Sequence, residues 1–525
     1  MSLFLPFLSL APFSGDWTKQ HSAHLLRRAT FGASLDQIND FTAKNVGQCV
    51  EELMTDLPYP EPPVNINYEN DPDVPVGETW VDKATSQGVN GYRRRSLNNW
   101  SLELMLKNNP HIREKMTLFW HNHFVIADIN EPRVLYNYIV KLRRLSLANF
   151  KEMAKEITVD NGMLEYLNGR DNTRQAPNEN YARELLELFT LGKGNSVGNG
   201  DYTTYTETDI KEIARVLTGW IDVRNTLPIR SEFRAARHDT GTKTLSHRFN
   251  NVVIQNAGAE EYKNLIDIIF NREEVALFIC RKLYKWFVYH EITAEIENDI
   301  IVPLAAIFRQ NNYEIKPVLS ALLQSEHFYD TCRVGGLVKN PIDFIMTPLN
   351  AFSLGLPEDA VVKDRALGGL YGFTNVQQMA LFQAPSVAGW QAFYQAPLYN
   401  KLWLNSFTLP SRKLYTDALS NTGVPFGNYR LLVDPVLIAE KCDNPEDAEK
   451  LISQVSILFS PMDYATNQKT VLLEVLLGTD TRQQWTNKWN TYVADPTNTT
   501  KKQAVLVKLR SVFTYMMRMP EFHLS

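Results

Sequence analysis

The sequence predicts a mainly α-helical protein. Apolar residues recur at three- and four-residue intervals through most of its 525 residues. Strand-like patterning is confined to a short stretch near residues 233–254, and capping residues stand where the helical stripes begin. We therefore expect a tail at residues 1–15, one large multi-helix domain at 16–412, and a carboxyl-terminal helical extension at 413–525. The main domain would carry a proline-rich surface segment at 56–78 and a small β-hairpin insertion at 233–254.

Taken in order, Asp16–Ala29 has a helical stripe that closes near Gly32. Ser34 and Gln37 have the spacing of a capping box and open the next helix. A further helix is expected over Gly47–Met54. Six prolines between Leu57 and Glu78 predict an extended surface segment. Helix resumes over Tyr92–Leu106, with Arg93, Arg94 and Arg95 at its start. Such a triplet more often faces solvent, or stacks on aromatics, than clamps a phosphate. Pro110 suits a first helical position and predicts a helix over Pro110–Phe124. On that helix His121 and His123 point about 200° apart. His123 falls with Ile112, Met116, Phe119 and Trp120 and reads as a core histidine. His121 falls with Glu114 and Thr117 and is the better candidate for a ligand or acid–base group. Shorter helices are expected over Val134–Leu145, Phe150–Thr158 and Gly162–Leu167.

The most patterned stretch is Asn178–Trp220. Tyr181, Ala182, Leu185, Leu186, Leu188 and Phe189 fall on one side of a helix. Glu179, Asn180, Arg183, Glu184 and Glu187 fall on the other, and Gly192 supplies a left-handed stop. A second helix starts at Thr206, with Asp209 three residues on. Three carboxylates and an arginine on one face suit a ligand site. They equally suit a solvated face of i,i+4 ion pairs, each worth about 0.2–0.5 kcal/mol.

After Trp220 the period changes. Phe233–His238 and Lys243–Ile254 read as strands, with Asp239-Thr240-Gly241 as the turn of their hairpin. An aspartic-protease reading of that tripeptide fails, because the residues before Asp239 are not an apolar strand and the chain has no second copy for a dyad. From Glu260 onward the pattern is helical, including Val275–Tyr289, Ile300–Arg309 and a helix opened by Asn340-Pro341. Gln383–Arg412 is rich in aromatics: Trp390, Phe393, Tyr394, Tyr399, Trp403 and Phe407. It reads first as core and second as a platform for a sugar or peptide. Asp447–Phe459, Gln468–Leu477 and Lys501–Met519 are the expected carboxyl-terminal helices.

Composition bounds the function. The net charge of −5, with both signs mixed, argues against nonspecific nucleic-acid binding. No apolar run is long enough to cross a membrane. Four widely spaced cysteines without a CxxC disfavour zinc-ribbon or thioredoxin chemistry. Leu3–Leu10 is apolar but lacks a preceding basic residue and is interrupted by Pro6, so no clear export signal is legible, and the expectation is either a trimmed mature form or a protein that stays inside the cell. Dinucleotide-binding, Walker, HExxH, GxSxG and EF-hand motifs are all missing.

Several segments carry a resemblance: PNENYARELLELFTLG followed by YTETDIKEIARVLTGW, then HLLRRATFG at His24–Gly32, FWHNHFV at Phe119–Val125, RHDTGTKTL at Arg237–Leu245 and QAPSVAGW at Gln383–Trp390. Together they resemble the signature of a large bacterial family, domain of unknown function 1800. The resemblance spans residues 20–412 and leaves the carboxyl-terminal helices outside. It implies a mainly helical protein of the cell envelope or exterior. It also implies a partner, the phosphatase- and sulfatase-like family called domain of unknown function 1501, beside which such proteins are often encoded. The loop after Gly192 is longer than that family's usual glycine turn.

Two functional expectations follow. One is an accessory protein that acts with such a partner. The other is a metal-assisted hydrolase or oxidoreductase. In the second, Glu184, Glu187, His121 and His238 are the acid–base groups, and Glu179, Glu184 and His121 the ligands of a divalent metal. Arg183, Asn178 and Trp390 would hold substrate. Convergence of either histidine with two of the glutamates favours the enzyme; glutamates paired only with Arg183 at the surface favour the accessory protein.

Overall fold

A computed structural model describes residues 9–85, 88–106, 110–390 and 403–525. Helix accounts for 55% of it. Strands occur among the described residues only as separate two-stranded antiparallel ribbons. The mainly α class is thus correct.

Local chemistry sets many helix starts as expected. Ser34 accepts from the Gln37 amide while the Gln37 side chain returns to the Ser34 amide, opening Leu35–Thr42. Thr206 and Asp209 do the same at the start of Glu207–Val216, and the shorter Asp reaches back at 2.7 Å. Asn45 and Gln48 form another such box before Val46–Leu53.

Four expectations need correction. The helix expected from Pro110 begins at Arg113 and ends at His123. The His111 ring takes the capping role, its Nδ1 accepting from the Arg113 amide at 2.9 Å. The proline-rich stretch is not merely an extended surface segment, because Asn65, Asp71 and Val74 are buried. The reason is Arg93, which turns inward from Asn90–Met105 instead of facing solvent. Its Nε and Nη2 grip Asp71 at 2.8 and 2.9 Å, and Nη1 donates to the Ala84 carbonyl. The expected hairpin across Asp239 is in fact two ribbons. Phe233 pairs back with Trp220, and Lys243 pairs forward with Ile254. Between them Asp239 folds onto its own backbone, accepting from the Gly241 amide at 2.8 Å. That internal bond makes the tripeptide a local turn and not a strand connector. Last, Glu179–Glu184 does not continue as α-helix to Gly192 but widens into a π-helix over Leu185–Thr190.

The apolar core is continuous from Ala23 to Phe522. Arg27, on the helix Lys19–Ala29, donates to the carbonyls of Ile457 and Ser460 at 2.7 and 3.0 Å. The carboxyl-terminal helices Ala448–Phe459, Thr466–Leu477 and Thr499–Arg518 therefore share this core with the first helix.

The end of Arg113–His123 lies where the quoted segments meet. Trp120 donates from its indole to the Ser146 carbonyl. Asn122 accepts the Trp390 amide at 2.9 Å. The preceding Gly389 has φ +83°, and a Cβ there would lie 2.3 Å from Asn122 Oδ1. Only glycine allows that approach without strain.

Candidate functional site

The helix bearing the expected carboxylates is built from its ends. Asn178 caps its start, accepting from the Asn180 amide at 2.9 Å while its own amide donates to Asn172. The wide π turn changes the far end. Gly192 and Leu191 both donate to the Leu186 carbonyl, and the Leu188 and Phe189 carbonyls are instead taken by side chains. Lys282 Nζ donates to Leu188 O at 3.0 Å, and His123 Nε2 donates to Phe189 O at 3.1 Å. Lys282 also reaches His123 Nδ1 at 3.0 Å and lies over the Phe278 ring. A cation at a helix carboxyl end is favoured by the dipole. Burial nonetheless pushes the Lys282 ammonium down to about 7. His123 is thus a buried structural histidine that caps this helix.

The polar face forms a half-exposed network. Arg183 holds Glu207 with two parallel bonds of 2.9 and 2.7 Å. Glu179 and Glu187 stand farther from the same guanidinium, at 3.6 and 3.7 Å. Lys193 approaches Glu187 at 3.3 Å, and the Tyr205 hydroxyl donates to Glu187. The bond to Arg183 holds the Glu207 carboxyl below its usual range. Glu184 differs from the others. No hydrogen bond or ion pair from another described residue reaches its carboxylate, and burial, then the Glu187 charge, raises it.

The two histidines lie in closed hydrogen-bond chains away from those glutamates. His121 is fully buried. Its Nε2 accepts the Phe382 amide at 3.0 Å, so Nδ1 carries the proton and donates to Tyr138, whose hydroxyl donates to the Phe124 carbonyl. Burial pushes it down to about 3, so the ring is neutral with both nitrogens engaged. It does share a face with Glu114 and Thr117, as the spacing predicts; the three line one small void. His238 Nε2 meets Glu261 at 3.1 Å, and Glu261 meets Lys243 at 2.6 Å; all three are buried. Asp239, beside it, is gripped by Arg215 at 2.8 and 3.2 Å.

Trp390 is buried, with its ring 5.6 Å from His121, and is part of the core wall. Phe393, Tyr394 and Tyr399 lie outside the described residues. Among the described residues no three His, Cys, Asp or Glu side chains are grouped to hold a metal ion. Glu179, Glu184 and His121 are therefore not gathered into one donor set. The sequence reading missed Tyr205, Glu207 and Lys193 as members of the polar face, and Glu261 as the partner of His238. Tyr205 and Glu207 stand in the quoted YTETDIKEIARVLTGW segment, and that is the one signal that could have singled them out.

These features define a helical protein with a half-exposed acidic network and closed histidine chains. Residues 24–524 match the family described as Protein of unknown function (DUF1800), and the chain belongs to it. The match corrects the narrower span expected earlier, since the carboxyl-terminal helices fall within it. No curated protein and no solved structure matches the chain.

Proposed function

We propose that the protein is an accessory protein of the cell envelope or exterior that acts with a partner, and that the face centred on Arg183 receives it. The observation that carries this reading is the pairing of Glu179, Glu187 and Glu207 with Arg183, while His121 and His238 are bonded elsewhere. Glu179, Glu184, Glu187 and Glu207 outnumber Arg183, Lys193 and the nearby Lys211, which leaves this face acidic, a character that steers a basic surface and sets its register. The phosphatase- and sulfatase-like proteins encoded beside family members are the partner class we favour. Calorimetric titration of the purified protein with such a neighbour tests it. A saturable complex, weakened in Glu179→Lys and Glu207→Lys, is expected. No heat at any reachable concentration would refute it. Localisation is tested separately, by fractionating cells that produce the full-length natural protein.

One observation favours a second reading as a hydrolase or oxidoreductase. Glu184 is half-buried, raised, and unbonded to the described residues, as a proton-transfer group would be. Divalent metal retained by the native protein and lost in Glu184→Gln would support that alternative. Equal metal content in the two would sink it.

A further inference from the structure

A separate cleft lies away from the Arg183 face, between the proline-rich strap at Leu57–Glu61 and the start of the helix Arg113–His123. It has a volume of about 380 Å³, within the range of small-molecule sites. Phe31, Leu57, Pro58, Leu104 and Met105 give it an apolar wall. Tyr59 stands at its rim, 65% exposed.

Its polar groups are few and uneven. Arg143 lines it while only 6% exposed. Its Nε donates to Glu114 at 2.6 Å, but its buried Nη1 has no hydrogen-bond partner. A buried guanidinium N–H left unpaired costs more than an ordinary missing bond. Arg113 is a second cation on the wall, with Nη1 on the Leu57 carbonyl at 2.8 Å. Burial, and then the neighbouring Arg143 charge, lowers the Arg113 guanidinium's hold on its proton. His111 adds no charge: it accepts the Arg113 amide at Nδ1, and burial pushes it down to about 4. The lining thus sets two guanidiniums against two carboxylates, Glu61 and the Glu114 that pairs with Arg143, and leaves one donor unused. The Glu61 side chain is exposed at the outer edge.

We infer that this cleft binds a small monocarboxylate with a flat apolar body. The carboxylate would take the unpaired Arg143 edge, and the body would lie on Phe31, Leu104 and the strap. A phosphate dianion fits less well, because Glu114 already sits on the same guanidinium.

The test uses the full-length protein and ligand-observed NMR with three probes: phenylacetate, its neutral analogue phenylacetamide, and inorganic phosphate. Phenylacetate should bind about tenfold or more tightly than the amide, as expected for a hydrogen bond to a charged group. Arg143→Lys keeps the charge but loses the forked donor, and should erase that preference. Tyr59→Ala, at a position 65% exposed, should weaken phenylacetate severalfold. It decides the matter should Arg143→Lys fail to fold. Equal binding of acid and amide, tighter binding of phosphate, no binding by any probe, or phenylacetate unaffected in both variants would each overturn the assignment.

Discussion

Replacing Lys243 with methionine isolates the energetics of the buried His238–Glu261–Lys243 chain. The ammonium lies 2.6 Å from Glu261 Oε1, and both side chains are fully buried. Methionine fills much of the same volume but leaves the carboxylate, among the described residues, with His238 and the Ala257 amide, at 3.1 Å each. It also removes the donor to the Asp239 carbonyl. Breaking one side of a buried ion pair costs about 3–5 kcal/mol, most of it the penalty of the stranded charge. The companion Lys243→Met/Glu261→Gln variant strands no charge. It should therefore be more stable than Lys243→Met alone, so that the second substitution rescues the first. Urea denaturation followed by tryptophan fluorescence and by circular dichroism measures the parent protein, Lys243→Met, Glu261→Gln and the double variant. A loss below about 1 kcal/mol for Lys243→Met would show that water reaches the pair. Strictly additive losses would show that the two residues are not coupled.

Acid should destabilise the fold before most carboxylates titrate. His111 and His121 are held near 4 and 3 by burial, so the unfolded chain takes up protons that the folded chain refuses. Their stabilisation is complete above about pH 6.5 and falls by about 1.4 kcal/mol per pH unit for each ring as the pH drops toward 4. Urea midpoints at pH 7.5 and 5.5 check this, and nitrogen NMR should find His121 protonated at Nδ1 alone. Gly389→Ala should cost more than about 2 kcal/mol, since the new methyl meets Asn122 in a left-handed backbone; an unchanged thermal midpoint would disprove that contact. Arg183→Met should change stability by less than about 1 kcal/mol, because its bonds are half-exposed, and a larger loss in denaturation would mean the network holds the fold together.

Much of the helical framework was legible because its signals are local. Ser34 with Gln37, and Thr206 with Asp209, announce helix starts within four residues of chain. What could not be read depends on distant partners. Arg93 turns inward only because Asp71, 22 residues earlier, returns to meet it. Phe233 pairs with Trp220, across a connection that strand patterning alone does not specify. At the candidate site the polar face of Glu179–Glu187 was legible from helical period, and so was the separation of His121 from His123. The destination of each ring was not. His121 ends on Phe382, and His238 on Glu261, through contacts that no sequence spacing encodes. The widening at Leu185–Thr190 leaves no periodic trace either, since a run of six residues is too short to show a changed pitch.

That widened turn works as a register key. Winding the same residues at ordinary pitch, with none removed, would swing everything downstream by about 100°. Lys193 would then leave Glu187, and the two main-chain oxygens now facing Lys282 and His123 would point past them. One residue of chain length thus fixes how the acidic face and the loop beyond Gly192 are aimed relative to the rest of the protein.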